Sequence, residues 1–234
     1  MVGLSAGEKH FIQGGIAQDL RLDGRKRLTY QPIYVETGII PQGRGSDELL
    51  TELSVALERC LLGGAGIDPT SLVVVEGKVC WDIYVDGLVI SSDGNLLDAL
   101  AAAIKAALRN TGIPKVDVAA EMAGDEQPEV NISDEEFLQF DTSGIPVIVT
   151  LKRVGKCYIV DATVEEESQM SSVVSISVNR KGHVCGLTKW GGWGGAGLDP
   201  CIILDMISVA KHVSEQLINK LDSETAAAEA TEEE

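Results

Sequence analysis

The sequence is poor in the features that most quickly assign a chain to a class. Aromatic residues make up 4% of its 234 residues, so its core must be built mainly from aliphatic side chains. No apolar run is long enough to cross a bilayer. The first residues lack the charged-then-apolar layout of a secretory signal. We therefore expect a chain with no membrane contact that is not secreted.

Cysteine and histidine are also sparse. The three histidines (His10, His183 and His212) lie far apart and show no helical i, i+4 pairing, so we expect no metal site and no cofactor. The cysteines are odd in number and include no C-x-x-C pair, which indicates reduced thiols in a nuclear or cytosolic protein. They are Cys60, Cys80, Cys157, Cys185 and Cys201.

Positive charge is scarce. The chain has 19 lysines and arginines against 36 acidic residues, and its formal net charge is −17. Part of this excess lies in residues 223–234, which we predict to be a disordered acidic tail. Proteins that grip nucleic acid alone usually present a basic face. If RNA is a ligand, the basic patch must therefore be local or belong to a partner.

What the chain does contain is strands followed by helices, twice. In the first half, Ser5 and Glu8 predict a capped helix, residues 33–40 alternate like a strand, and Ser46 is a candidate N-cap. The helix after Ser46 has an apolar stripe: Leu49, Leu50, Leu53, Ala56, Leu57 and Cys60. A hairpin then turns at Glu76-Gly77-Lys78, with Val79, Trp81, Ile83 and Val85 on one side of its second strand.

A polar turn, residues 91–95, then precedes an alanine-rich helix with Asn95 as its expected cap. The second half contains two predicted hairpins, over residues 145–163 and 172–189, and a last helix capped by Asp199. This pattern predicts an α+β fold. Its parts are a first half over residues 1–120, an acidic linker over 121–140, a second half over 141–222 and the tail.

Three stretches are candidate sites. The turn at 91–95 can hold a phosphate or merely start a helix, because free backbone N–H groups and the positive end of the helix dipole meet there. Asp161 with Glu165–Glu167 can hold Mg²⁺ through oxygen ligands or form a solvated loop. Trp190 precedes a glycine-rich loop over residues 191–197 and Trp193 lies within it; both can stack bases, although a surface loop is the simpler interpretation.

Four stretches occur in an order that resembles the RNase PH family. They are "LSAGEKHFIQGGIAQDLRLDGR", "VCWDIYVDGLVISSDGNLLDALAAAIKAALRNTGIPKV", "IPVIVTLKRVGKCYIVDATVEEES" and "LDPCIILDMISVAKHV". The resemblance implies an RNase PH-like fold of two pseudo-repeated halves, each a β-sheet covered by helices. Family members form six-membered rings, and active members degrade RNA from its 3′ end with phosphate as the attacking group.

The resemblance also implies a role without catalysis. In active members the turn corresponding to Asp93-Gly94-Asn95 carries a small hydroxyl residue and then an arginine that holds phosphate. Here Asn95 or Leu96 takes that position, so the bidentate guanidinium is missing. Asp161, Glu165 and Glu166 match acidic family positions and are interpreted as remnants. We expect no catalytic residues.

The resemblance implies a structural subunit of the RNA exosome core ring, supporting RNA degradation and rRNA maturation. Its expected partners are other RNase PH-like subunits in a hetero-hexameric ring, cap subunits, and RNA threaded through the assembled pore. The expected location is the nucleus, nucleolus and cytoplasm. The alternative is an active phosphorolytic 3′-to-5′ exoribonuclease that uses Asp161 and a metal ion.

The chain departs from the family after residue 40. The family continues there through further strands, whereas this chain passes directly to "PQGRGSDELL". We therefore expect a truncated first half with an exposed sheet edge. The loop around Arg44 faces the pore in relatives, so Arg44 is the one candidate RNA contact.

Overall fold

The computed structural model describes residues 5–37, 48–62, 67, 69–118, 130–190 and 197–232. Up to residue 139, these residues form three α-helices and two separate antiparallel strand pairs. The helices are α1 (Ala6–Ala17), α2 (Glu48–Leu62) and α3 (Leu96–Arg109). The strands are β1 (Val73–Val75) paired with β2 (Val79–Cys80), and β3 (Gly112–Val118) paired with β4 (Val130–Gln139).

Local sequence signals set the starts of several elements. The capping box of α1 is confirmed, because Glu8 N donates to Ser5 Oγ at 3.3 Å and Ser5 N donates to Glu8 Oε2 at 2.7 Å. The predicted hairpin turn is confirmed by Gly77, whose φ of +71° suits glycine. The predicted stripe of α2 is confirmed at its four described positions, Leu53, Ala56, Leu57 and Cys60. The side chains of Ser46, Leu49 and Leu50 lie outside the described residues.

The strand predicted for residues 33–40 is wrong over its described part. Residues 31–37 are not in a β-ladder, although Ile33 and Val35 turn inward and Tyr34 turns outward with the period of a strand. An isolated extended segment cannot form a sheet without a neighbour to accept its hydrogen bonds. The second strand of the first hairpin is likewise shorter than predicted and ends at Cys80.

The acidic linker predicted for residues 121–140 is wrong for residues 130–139, which form β4. This strand pairs with β3 in a register that joins Gly112 to Gln139 and Val118 to Val130. The acidic side chains of β4 point into solvent, so high charge and a pairing strand are compatible here. Residues 121–129 of the expected linker lie outside the described part of the chain.

The second half is a four-stranded antiparallel sheet in the order β6–β5–β7–β8. Its strands, the two predicted hairpins, are β5 (Val147–Val154), β6 (Cys157–Ile159), β7 (Ser172–Val178) and β8 (Val184–Lys189). A short helix, α4 (Val164–Glu167), joins the hairpins, and α5 (Pro200–Glu232) follows them. The predicted cap of α5 is confirmed, since Cys201 N donates to Asp199 Oδ1 at 2.8 Å.

Helices cover both faces of this sheet. Alternate residues of β5 and β7, among them Val149, Leu151 and Ile176, pack against Met206 and Val213 of α5. The opposite face of β5 meets α3, with Ile148 in a cluster with residues of α2 and α3. Seven of the eight residues of β5 are buried, as expected for a strand covered on both faces, although Thr150, Lys152 and Arg153 interrupt its apolar sequence. The candidate site lies where α3, α5 and the segment 30–37 converge.

The disordered tail predicted for residues 223–234 is wrong as far as Glu232. Alanine and glutamate are strong helix formers, and α5 continues through them. Thr225 is buried, and Arg109 of α3 binds both Asp222, at 3.0 Å, and Glu229, at 3.5 Å. The last turns of α5 are thus attached to α3.

Candidate functional site

A cavity of about 710 Å³ opens between the segment 30–37, the turn 91–95 and the first turns of α3. The alanines of α3 and the side chains of Leu217 and Leu221 from α5 form its apolar wall. Its polar wall comes from the turn 91–95 and from the carboxylates Glu36, Asp93, Asp98 and Asp161. No lysine, arginine or histidine is among the described residues that line it.

The turn that precedes α3 is pressed against the acidic loop of the second half. A Cβ placed on Gly94 would lie 2.7 Å from the carbonyl oxygen of Ala162, and Gly94 has a φ of +100°. Only glycine fits such a contact and such a conformation. The structure therefore brings together two stretches that are almost 70 residues apart in sequence, residues 91–95 and 161–167.

The expected capping role of Asn95 is wrong. Its backbone is left-handed, with φ 50° and ψ 34°, and its side chain makes no capping hydrogen bond. Instead its Nδ2 donates to Asp98 Oδ2 at 3.1 Å, whereas its Oδ1 is buried without a partner among the described residues. A left-handed backbone directs the side chain away from the free N–H groups of the first helical turn, so it cannot cap them.

Asp98 is the centre of a buried hydrogen-bond network that crosses the second-half sheet. It accepts from Tyr30 Oη at 2.9 Å, from Thr150 N at 2.9 Å and from Thr150 Oγ1 at 2.5 Å. Thr150 then contacts Ser175. Burial raises the pKa of Asp98 above its ordinary value, although hydrogen bonds from Thr150 oppose the shift. Burial, with Asp98 nearby, also raises the pKa of Tyr30 well above 10.

Asp161 lines the cavity, but its carboxylate already has partners. Arg25 Nη1 donates to Asp161 Oδ2 at 2.6 Å, and the backbone N–H of Gln31 donates to the same oxygen at 2.8 Å. The residue has a positive φ of 47°, and its carbonyl oxygen also accepts from Arg21 and Arg25. These bonds hold the segment 25–31 against the end of the sheet, so Asp161 has a structural task in this chain.

The other acidic residues of this loop have separate environments. Glu166 is fully buried and forms a two-bond pair with Arg21, at 2.9 Å to Nε and 2.5 Å to Nη2. Glu167 binds Lys152 at 2.5 Å, and the side chain of Glu165 faces solvent. In the part of the chain that the structure describes, no three acidic, histidine or cysteine side chains converge as a metal site would need.

The structure adds residues that the sequence patterns did not single out individually. The stretch "DLRLDGR" supported the family resemblance, but nothing local in it indicates that Arg21 reaches Glu166 or that Arg25 reaches Asp161. Both arginines turn back into the molecule. Tyr30 was likewise missed as a partner of Asp98.

Two further candidates have different outcomes. Trp190 is half-buried against the α2–α3 cluster, and its Nε1 donates to Ser175 Oγ at 2.7 Å, so it extends the Asp98 network and does not offer a free face for stacking. Trp193 and Arg44, the candidate RNA contact, lie outside the described residues.

Comparison with known proteins places this arrangement in a family. Residues 27–114 match the model of the 3′ exoribonuclease family, domain 1, which is the RNase PH domain. Residues 144–213 match domain 2 of the same family. The chain belongs to the RNase PH family. The predicted halves of an RNase PH-like fold are thereby confirmed.

Curated relatives carry exosome names. A Dictyostelium discoideum protein named putative exosome complex exonuclease RRP42 is 36% identical over 66% of this chain and 47% of its own length. The exosome complex component Rrp42 of Methanothermobacter thermautotrophicus is 33% identical over 75% of this chain and 61% of its own length. The exosome complex component Rrp42 of Pyrococcus furiosus is 31% identical over 77% of this chain and 81% of its own length. The chain thus spans about half to three fifths of the first two of these relatives.

Longer alignments show an internal deficit in this RNase PH chain. The Pyrococcus furiosus alignment has 231 positions, whereas 77% of the 234-residue chain is about 180 residues, so about 50 positions face no residue here. The alignment to the Sulfurisphaera tokodaii Rrp42 has 265 positions and exceeds the whole chain. These differences support the expected truncation.

Solved structures support the fold. The chain superposes with a TM-score of 0.70 on a chain of an Archaeoglobus fulgidus exosome with RNA bound to the active site, at 21% identity, covering 91% of this chain and 97% of that one. A chain of an archaeal exosome core gives a TM-score of 0.67 at 23% identity, covering 92% and 96%. No helix within the described ranges has the length and apolar content to cross a membrane.

Proposed function

We propose that this chain is a structural, non-catalytic subunit of an exosome core ring. The observation that carries the proposal is the wall of the cavity at the turn 91–95. Its described lining holds four carboxylates and no cation. Phosphorolysis needs a bound phosphate anion, and anion sites in proteins use arginine, lysine or unopposed backbone N–H groups. Carboxylates at Asp93 and Glu36 repel a phosphate.

The proposed partners are other RNase PH-like subunits in a hetero-hexameric ring, cap subunits, and RNA that passes through the assembled pore. The names of the Rrp42 relatives and the archaeal exosome neighbours support this assignment. With it we propose a location in the nucleus, nucleolus and cytoplasm, and Arg44 as an RNA contact in the pore. Co-purification from cell extract should recover other ring subunits, and recovery of the chain alone would count against the role.

The activity test separates this role from a phosphorolytic exoribonuclease that uses Asp161 and a metal ion. Purified chain is incubated with single-stranded RNA, Mg²⁺ and phosphate, and nucleoside diphosphates are measured. We expect none above background, because loss of charge-assisted phosphate contacts removes several kcal/mol of transition-state stabilisation. Release of diphosphates that Asp161→Asn abolishes and Asp134→Asn does not would establish the enzymatic alternative.

The isolated chain is expected to bind single-stranded RNA weakly, with a dissociation constant no lower than about 10 μM at physiological salt. The Arg21-to-Arg27 run is the densest basic stretch, but Arg21 pairs with Glu166, Arg25 with Asp161 and Arg27 with Asp19. Three of its four cations are therefore paired, and Lys26 alone has no ion pair among the described residues. Fluorescence anisotropy with a short labelled RNA measures the constant, and submicromolar binding would contradict the prediction.

A further inference from the structure

An extended segment of the first half has an edge that no other described residue pairs with. Residues 82–90, here the acceptor segment, continue from β2 outside any β-ladder, without a bend as far as Val89 and with a bend at Ile90. The last bond of the hairpin runs from Trp81 N to Leu72 O at 2.8 Å, and no backbone hydrogen bond joins residues 82–90 to another described residue. β1 offers no further pairing beyond Leu72, because the residues before it, Pro69–Leu72, form a 3₁₀ turn.

The acceptor segment is anchored along one side and open on the other. Ile83 packs against the α2–α3 cluster, and a Cβ on Gly87 would contact Leu100 of α3 at 3.4 Å. On the open side Tyr84 is 87% exposed and Ile90 is 91% exposed. A strand-like backbone with unused N–H and C=O groups, beside exposed large apolar side chains, is the surface that β-strand addition requires.

Charge restricts what can occupy this surface. Asp82 and Asp86 flank Tyr84, and residues 79–104 contain no lysine or arginine. A second copy of this chain, with a net charge of −17, would meet repulsion at the surface. A basic strand with apolar residues at alternate positions complements both the aspartates and the exposed apolar side chains.

We propose that residues 82–90 accept an extended, basic segment of a partner protein as an added β-strand. The partner's backbone pairs with the free edge of the acceptor segment, its apolar side chains cover Tyr84 and Ile90, and its cations meet Asp82 and Asp86. The alignment with the Pyrococcus furiosus relative has about 50 positions that face no residue of this chain, so this chain has fewer residues than that relative with which to cover the edge.

The test uses the full chain and a synthetic peptide of about ten residues, the usual upper length of a strand, in which valine alternates with lysine or threonine. Amide hydrogen exchange of the chain is compared with and without the peptide. We expect saturable binding in the range of about 10–100 μM and roughly tenfold slower exchange confined to residues 82–90. Binding without protection of these amides would overturn the proposal.

Matched probes separate pairing from unspecific attraction. A peptide with glutamate in place of lysine, and one with N-methylated backbone amides, should each bind at least roughly tenfold more weakly. If either of these two peptides bound as tightly as the lysine peptide, the proposal would be refuted. If the chain alone forms dimers in sedimentation experiments and protects residues 82–90 as they form, a second copy is the occupant and the proposal is wrong.

Variants of the chain give an independent readout. Tyr84→Pro removes one N–H that makes no hydrogen bond within the described structure, so the thermal midpoint should stay unchanged while peptide affinity falls roughly tenfold. If Tyr84→Pro prevents folding, the double variant Asp82→Lys/Asp86→Lys tests whether the peptide binds at residues 82–90. It alters exposed side chains, and it should weaken the lysine peptide and strengthen the glutamate peptide. Unchanged affinities in the double variant would overturn the proposal.

Discussion

Replacing Arg21 with methionine is expected to lower the free energy of unfolding by about 3–5 kcal/mol, the usual cost of breaking a buried ion pair. The side chains of Arg21 and Glu166 are 0% and 1% exposed. Removing the guanidinium leaves a buried carboxylate whose remaining partner is the N–H of Thr163. It also leaves the carbonyl oxygen of Val160 without its Arg21 donor. Urea denaturation followed by circular dichroism measures the loss.

The matched control for this prediction is Arg27→Met. Arg27 pairs with Asp19, but their side chains are 33% and 44% exposed, so water screens the pair and Arg27→Met should change stability little. The double variant Arg21→Met/Glu166→Leu should be more stable than Arg21→Met alone, because it buries no unpaired charge. A cost for Arg21→Met no greater than that for Arg27→Met would show that the pair does not hold the N-terminal segment to the sheet.

Replacing Asp98 with alanine is expected to cost about 3 kcal/mol, since buried donors left without an acceptor cost about 1–3 kcal/mol each. Tyr30 Oη, Thr150 N and Thr150 Oγ1 all lose their acceptor. Asp134→Ala, at an exposed position of β4, is the control and should change stability little. If Asp98→Ala lowered the free energy of unfolding no more than Asp134→Ala does, the central role of Asp98 would be contradicted.

The effect of Asp98 should also depend on pH. Burial raises its pKa above the ordinary 3.8, so the folded chain holds this proton more tightly than the unfolded chain. The stabilisation from Asp98 is therefore complete below the unfolded pKa and decreases as the pH rises through the folded pKa. The difference in unfolding free energy between wild type and Asp98→Ala is expected to be larger at about pH 4 than at about pH 7. The opposite trend would show that the hydrogen bonds outweigh burial.

Several elements of this RNase PH chain follow from short-range patterns in the sequence. The Ser5 box, the turn at Gly77 and the cap at Asp199 are each decided by residues within a few positions, because the groups that bond are neighbours in the chain. The two hairpins of the second half follow from pairs of short runs rich in β-branched residues with a glycine turn between them.

The site could be predicted only in part. The sequence indicated the turn 91–95 and the acidic loop from Asp161 as candidate stretches, and the resemblance led us to expect no phosphate-binding arginine there. It did not indicate that Arg21 pairs with Glu166, which lies 145 positions away, or that Tyr30 binds Asp98, 68 positions away. The resemblance to active relatives kept chemistry at Asp161 only as an alternative, and the structure shows its carboxylate bound by Arg25 and by a backbone N–H.

The sequence by itself determined the family and the second-half sheet. The tertiary structure decided which strand-like segments pair. Residues 31–37 and 82–85 have the sequence alternation of strands, but a ladder needs a partner at hydrogen-bonding distance, and none of the described residues supplies one. Conversely, residues 130–139 and 223–232 carry the charge of disordered segments, yet contact with β3 and with α3 orders them. Alternation and charge are local properties, whereas pairing and burial depend on what the fold places alongside.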